Sequence, residues 1–123
     1  MFFSLTPTNS CYNPSLMGGN LVVMESPAEW ACVQHWLNEE FTPESQEFAI
    51  GLRADFNEVG IYKWQYFDGS TAFPEYFVWA EYHPRDEPCV SMEVGTEVVT
   101  QGAWLDGDCI EKQMYAVCER EKM

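Results

Sequence analysis

The stretch whose reading decides the fold is Trp79-Ala-Glu-Tyr-His-Pro84, followed by Cys89-Val90, by Trp104-Leu-Asp106 with Cys109, and by Tyr115-Ala-Val-Cys118-Glu119. The residues between its tryptophans and cysteines are rich in acids, glycine and proline and show no helical period. An aperiodic segment of this kind holds one shape only under constraint, and cysteine pairs supply the constraint. This segment is therefore where a binding surface is expected.

Working outward, 123 residues fit a single domain spanning 1–123. A chain of that size buries roughly two thirds of its unfolded surface, enough for a real core. Hydrophobic residues at 46% and aromatics at 15% exclude a disordered chain. Six basic against twenty acidic residues give a net charge of −14. That field repels nucleic-acid phosphates and anionic membrane surfaces, and leaves cations, basic proteins and neutral sugars as partners. Five cysteines without a Cys-x-x-Cys pair fit disulfides better than a zinc cage, which implies an oxidising, secreted or extracellular setting. No apolar run is long enough to span a bilayer. Met1-Phe-Phe-Ser-Leu5 is too short for a signal-peptide core, so a secretion signal is expected to have been removed or to lie outside this sequence.

Along the chain, Phe2 to Leu5 reads as an edge strand, and Pro14 argues against a long helix in the polar stretch that follows. Gly18-Gly19 marks a turn before a buried strand at Asn20-Leu-Val-Val-Met24. Ser26-Pro-Ala-Glu29 has the cap serine, first-turn proline and reciprocal glutamate of a helix start. Trp30, Val33, Trp36 and Leu37 then share one face, predicting an amphipathic helix over 27–39. Strands are expected at Phe48–Leu52, Tyr62–Tyr66, Cys89–Glu93, around Ala103 and at Tyr115–Cys118, with a turn at Asp68-Gly69. Residues 71–87 are expected to form a long ordered loop.

In this arrangement the sequence resembles the C-type lectin-like domain over nearly its whole length. Gly18-Gly19-Asn20-Leu21 resembles that family's Gly-Gly-x-Leu, Ser26–Glu29 its Ser-x-x-Glu, and Ala49-Ile50-Gly51-Leu52 its Trp-Ile-Gly-Leu. Trp64 through Asp68-Gly69-Ser70 is similar to its Trp-x-Asp-Gly-Ser, and Tyr76 through Trp79 to its Tyr-x-x-Trp, ahead of the array Cys89, Trp104, Cys109 and Cys118. The resemblance implies an α+β fold with two helices, two small antiparallel sheets and a long loop region that carries binding. It also implies disulfides Cys89–Cys109 and Cys11–Cys118, each stabilising by about 3 to 5 kcal/mol according to loop length. Cys11 lies further from the Gly-Gly pair than in the family, with Pro14 between, so the first helix is expected to be short or bent. Cys32 is left over. A buried free thiol is the favoured reading, and an intermolecular disulfide in a homodimer is the other.

Sugar-binding members of that family hold calcium with Glu-Pro-Asn or Gln-Pro-Asp, a further Glu, and Asn-Asp. Calcium takes six to eight oxygens. The matching residues here are His83-Pro84-Arg85, Glu87 and Leu105-Asp106. The proline is expected to keep a cis peptide. Only Glu87 and Asp106 keep their acids, so the usual calcium arrangement is not expected. Arg85 is expected to pair with Glu87 or Asp106 and fill the metal's place. Asp55, Glu58 and Asp86 fall near an auxiliary calcium position, either as ligands or as ordinary surface acids. His83 beside Glu87 would suit zinc less convincingly. Among Phe67, Phe73, Tyr76, Phe77 and Tyr82, one or two exposed rings would offer a stacking platform, whereas Trp64, Trp79 and Trp104 are expected inside.

An enzyme is the rival class. Cys32 and His35 could suggest a thiol–imidazole pair, yet no third orienting group, phosphate-cradling loop or nucleophile elbow accompanies them. The reading is a non-enzymatic, secreted recognition domain, with a place in innate immunity. It binds a glycan or microbial polysaccharide through Tyr82, His83, Arg85, Glu87 and Asp106 without the usual calcium site. The alternative is a protein ligand.

Overall fold

In the computed structural model, residues 2–7, 19–41, 46–55, 57–66, 69–95, 101–109 and 115–120 are described. Ser26 starts α1 (Pro27–Phe41) as expected: its Oγ accepts the Glu29 N–H at 3.2 Å, and its carbonyl accepts from Trp30 at 3.1 Å. The helix runs two residues beyond the expected 39. Val33 and Leu37 are buried, while Trp30 and Trp36 are half-buried. The Trp30 indole N–H reaches the Gly102 carbonyl at 2.8 Å. Gly102 has φ +77°, and a Cβ there would lie 2.6 Å from Gln34 Oε1 and 2.8 Å from Trp30 Nε1, so the helix seats on a position only glycine can fill.

Eight strands accompany the helix among the described residues: β1 (Phe2–Pro7), β2 (Gly19–Leu21), β3 (Gln46–Ala54), β4 (Tyr62–Gln65), β5 (Thr71–Ala72), β6 (Cys89–Val94), β7 (Ala103–Gly107) and β8 (Tyr115–Arg120). β8 pairs antiparallel with β1 and β2. β3 pairs antiparallel with β4 and β6, which lead to β5 and β7 respectively. A short parallel pairing, Phe48 with Tyr115 and Ala49 with Ala116, joins the two antiparallel groups. β3 is buried on both faces through Phe48–Leu52, as a central strand should be. A Cβ on Gly51 would meet the carbonyl oxygens of Leu21 and Val22 at 2.8 and 2.9 Å, so the segment after β2 crosses β3 in direct backbone contact.

That crossing explains one difference from the sequence reading. The expected strand Asn20–Met24 ends at Leu21: the Val22 N–H still donates to Val117 of β8, but its carbonyl turns to β3 and accepts from Gly51, both at 2.8 Å. Val22, Val23 and Met24 remain in the core. Cys32 is a second difference. It is free and exposed, not a buried thiol. Position 32 is rotated about 100° from Val33 on a helix, so adjacency in sequence did not place it on the buried stripe. His35 bonds Glu39 at 3.1 Å on the exposed surface. The expected first helix, the Cys11–Cys118 bridge, Asp68 and Phe67 depend on positions outside the described residues. No helix among the described residues is long and apolar enough to cross a membrane.

Candidate functional site

Residues 73–88 run irregularly across the outside of β7, and three features hold them there. Trp79 bridges Trp104 in parallel fashion, with Trp104 N–H donating to Val78 and Ala80 N–H donating to the Trp104 carbonyl, each at 2.9 Å. Cys89 and Cys109 form the expected disulfide, with Cα atoms 5.2 Å apart. The third is Asp106.

β7 alternates so that Trp104 and Asp106 both point inward. The Asp106 side chain is 0% exposed, and a carboxylate so buried needs donors around it. Four are present. His83 Nδ1 lies 2.7 Å from Oδ1. The backbone N–H groups of Arg85 and Glu87 donate to Oδ2 at 2.6 and 2.8 Å, and the Tyr62 hydroxyl lies 3.0 Å from the same oxygen. The Tyr62 oxygen is also 3.0 Å from the Glu87 carbonyl; its single proton serves the charged acceptor better. The 2.7 Å contact requires the imidazole proton on Nδ1, which rules out that nitrogen as acceptor for the Asp106 N–H 3.3 Å away. Burial pushes the Asp106 carboxyl up, but bonds from His83, the two amides and Tyr62 outweigh it and hold the group below its ordinary value. Burial first, then the bond to Asp106 and the charges of Asp106, Asp86 and Glu87, raises the Tyr62 hydroxyl.

This geometry corrects the expectation for Arg85. Its guanidinium pairs with neither Glu87 nor Asp106; its Nε donates to the Tyr82 carbonyl at 3.4 Å, and only its backbone N–H reaches Asp106. Glu87 likewise contributes backbone groups, while its side chain is exposed. His83 is the side chain that matters at the expected metal position, with 8% of its surface exposed and the expected cis bond to Pro84. These residues do not fit calcium, because both Asp106 oxygens already face hydrogen-bond donors and a cation there would face the same protons. Zinc fares no better: with Nδ1 bonded to Asp106 only the His83 Nε2 is left as a ligand, and Glu87 meets the site through its backbone groups. Asp55, Glu58 and Asp86 do not combine either: Asp55 bonds Lys63 at 2.9 Å, and among the described residues no three His, Cys, Asp or Glu side chains gather around a point.

Above this buried polar centre the surface is aromatic. Tyr82 is 79% exposed and Phe77 54%, and Phe77 stacks on Trp79 at 6.2 Å between ring centres. Tyr82 and Asp86 both have positive φ, 67° and 60°, conformations that non-glycine residues rarely adopt. Tyr76 is half-buried, with its hydroxyl on the Met24 carbonyl at 2.8 Å. Trp64 and Trp104 are buried as expected, and Trp79 is half-buried between Tyr62 and Phe77. Tyr62 was not foreseen as a partner of Asp106; the one available signal was that a tyrosine on the inward side of a strand needs a bond for its hydroxyl.

A sequence profile described as the Lectin C-type domain matches residues 8–120. The chain belongs to the C-type lectin domain family. Solved structures agree. A C-type lectin, CEL-I, from Cucumaria echinata superposes with TM-score 0.67 at 25% identity, covering 94% of this chain and 83% of the other. Human lithostathine gives 0.71 at 24% identity over 98% and 92%. The carbohydrate-recognition domain of a mouse scavenger receptor C-type lectin gives 0.61 at 24% identity over 92% and 77%. No curated protein matches the chain significantly by sequence. The fold is that of a C-type lectin-like α+β domain with a ligand-recognition role.

Proposed function

We propose that this lectin-like domain acts outside the cell and binds a glycan, of host or microbial origin, on the surface formed by Tyr82, Phe77 and Arg85, without calcium and without catalysis. The observation that carries the reading is the closed set of four donors around Asp106. It gives the loop an organising centre made of protein groups, so a recognition surface needs no ion to hold it. Exposed aromatic rings suit the apolar face of a sugar, and the Arg85 guanidinium offers donors to its hydroxyls. The resemblance to a Cucumaria echinata lectin supports the same class of ligand. The extracellular setting draws support from the Cys89–Cys109 disulfide.

The test is a glycan array with and without EDTA, run beside Tyr82→Ala. Binding that survives EDTA and falls about tenfold in the variant supports the proposal. Binding abolished by EDTA refutes it. A protein ligand is the second reading, favoured by two exposed rings on one acidic surface; a silent array with one Tyr82-dependent partner from extracellular fluid would establish it instead.

A further inference from the structure

The His83 side chain is only 8% exposed, yet just one of its two ring nitrogens has a partner. Nδ1 lies 2.7 Å from Asp106 Oδ1, whereas Nε2 bonds to nothing among the described residues. The unpartnered polar atoms closed to water among those residues are Gln34 Oε1 and the indole nitrogens of Trp64 and Trp104. His83 Nε2 is not one of them, so it opens to solvent through the small part of the side chain left uncovered. The direction agrees. The two nitrogens lie on opposite sides of an imidazole, and Nδ1 faces a buried carboxylate, so Nε2 faces away from it. Every other residue from Glu81 to Pro88 is exposed, which puts the opening on the solvent side of this loop.

An exposed histidine can turn and exchange its proton between both nitrogens, and His35, 72% exposed on α1, is of that kind. His83 is held. Its backbone N–H donates to the Ala80 carbonyl at 3.1 Å, its ring is covered, and its proton is kept on Nδ1 by Asp106. Asp106 is fixed in turn by the amides of Arg85 and Glu87 and by Tyr62. Nε2 is then an acceptor without a proton of its own. Satisfying Asp106 requires Nδ1 alone and gives no reason for Nε2 to reach the surface. An acceptor already fixed in place loses little freedom on binding, so its hydrogen bond counts nearly in full. A carboxylate or sulfate only accepts and gains nothing there, whereas a sugar hydroxyl brings a hydrogen. We propose that His83 Nε2 is a specificity-determining acceptor of the loop surface, taking a hydrogen bond from a free hydroxyl of a neutral sugar. This rests on the glycan reading of that surface and adds the atom that selects the chemistry of the ligand.

The experiment is nitrogen NMR of the two histidine rings in the full chain, in mildly alkaline buffer with EDTA, with His35→Asn identifying the His83 signals. The expected spectrum has the His83 proton on Nδ1 and none on Nε2. The probes are the methyl glycosides of glucose, galactose and mannose, each beside its per-O-methylated form, which keeps the ring but donates no hydrogen bond. A free glycoside should move the Nε2 signal toward its protonated position, and no methylated form should. Glycans retained on the array replace these probes if none of them binds. His83→Asn puts an amide N–H where Nδ1–H stood, so Asp106 keeps a donor while the Nε2 acceptor is removed. With an unchanged circular dichroism spectrum, this variant should bind the same sugar about three- to tenfold more weakly, the range of one neutral hydrogen bond. A His83 that only supported Asp106 would show the expected tautomer with Nε2 unmoved by saturating sugar. That result, a proton on Nε2, an equal response to the methylated form, or unchanged binding by His83→Asn would each overturn the proposal and leave the glycan reading standing. A silent array would bring down both.

Discussion

Replacing Asp106 by asparagine isolates what the buried charge contributes. Asparagine keeps the shape, and its carbonyl oxygen can still accept from the amides of Arg85 and Glu87 and from Tyr62. Its NH₂ would face His83, which can adapt by moving its proton to Nε2. The pattern is preserved and the charge is lost. Bonds to a charged group contribute about 1.5–3 kcal/mol and neutral ones about 0.5–1.5, so three such conversions cost about 3 kcal/mol. Asp106→Leu leaves the same donors without any acceptor at a dry position, and about 5 kcal/mol or failure to fold is expected. Either is large against the roughly 5–15 kcal/mol net stability of a domain. Urea unfolding followed by tryptophan fluorescence measures it, as a lower midpoint with an unchanged slope. An asparagine variant within about 0.5 kcal/mol of the parent would refute the assigned role of the charge. The pH dependence gives an independent reading. Because the folded carboxyl titrates below its ordinary 3.8, its contribution is complete above that pH and is lost as pH falls through the lower folded value. The parent should therefore lose stability in acid below pH 3.8 more steeply than the asparagine variant.

Opening Cys89–Cys109, as Cys89→Ser with Cys109→Ser, should cost about 3 kcal/mol for a loop closed over 20 residues, read as a fall in the urea midpoint. Gly51→Ala should destabilise by about 2 kcal/mol or more, since the added methyl meets two backbone oxygens that cannot swing aside; a neutral result would place the Leu21–Val22 crossing elsewhere. Tyr82→Ala should leave the unfolding free energy in urea within about 0.5 kcal/mol of the parent while weakening ligand binding about tenfold. Tyr62→Phe should cost about 1 kcal/mol, because the amides and His83 still satisfy the carboxylate.

The elements whose residues repeat at a fixed period were legible in the sequence. Trp30, Val33 and Leu37 marked α1, Ser26 and Pro27 marked its start, and the alternation through Tyr62 and Trp64 marked β4. The end of β2 was not, because Val22 is as apolar as a strand residue; what removes it from the ladder is a contact with Gly51 far away in sequence. At the site, position was legible and role was not. His83, Arg85, Glu87 and Asp106 do come together. Arg85 and Glu87, however, act through backbone N–H groups that almost every residue possesses, so side-chain chemistry pointed to a guanidinium that turns elsewhere. Cys32 was misplaced because a position next to a buried residue on a helix faces a different direction.

The strand β7 grips residues 73–88 in two places, at Trp104 through backbone bonds along its edge and at Asp106 through an inward side chain. Tyr82 and Phe73 take no part in either and are largely exposed, and Phe77, more than half exposed, leans on Trp79 from outside. What the domain touches can therefore be rewritten residue by residue while the hairpin behind it stays as it is. A lineage of such domains could exchange one ligand for another through ring substitutions alone, without passing through a form that fails to fold.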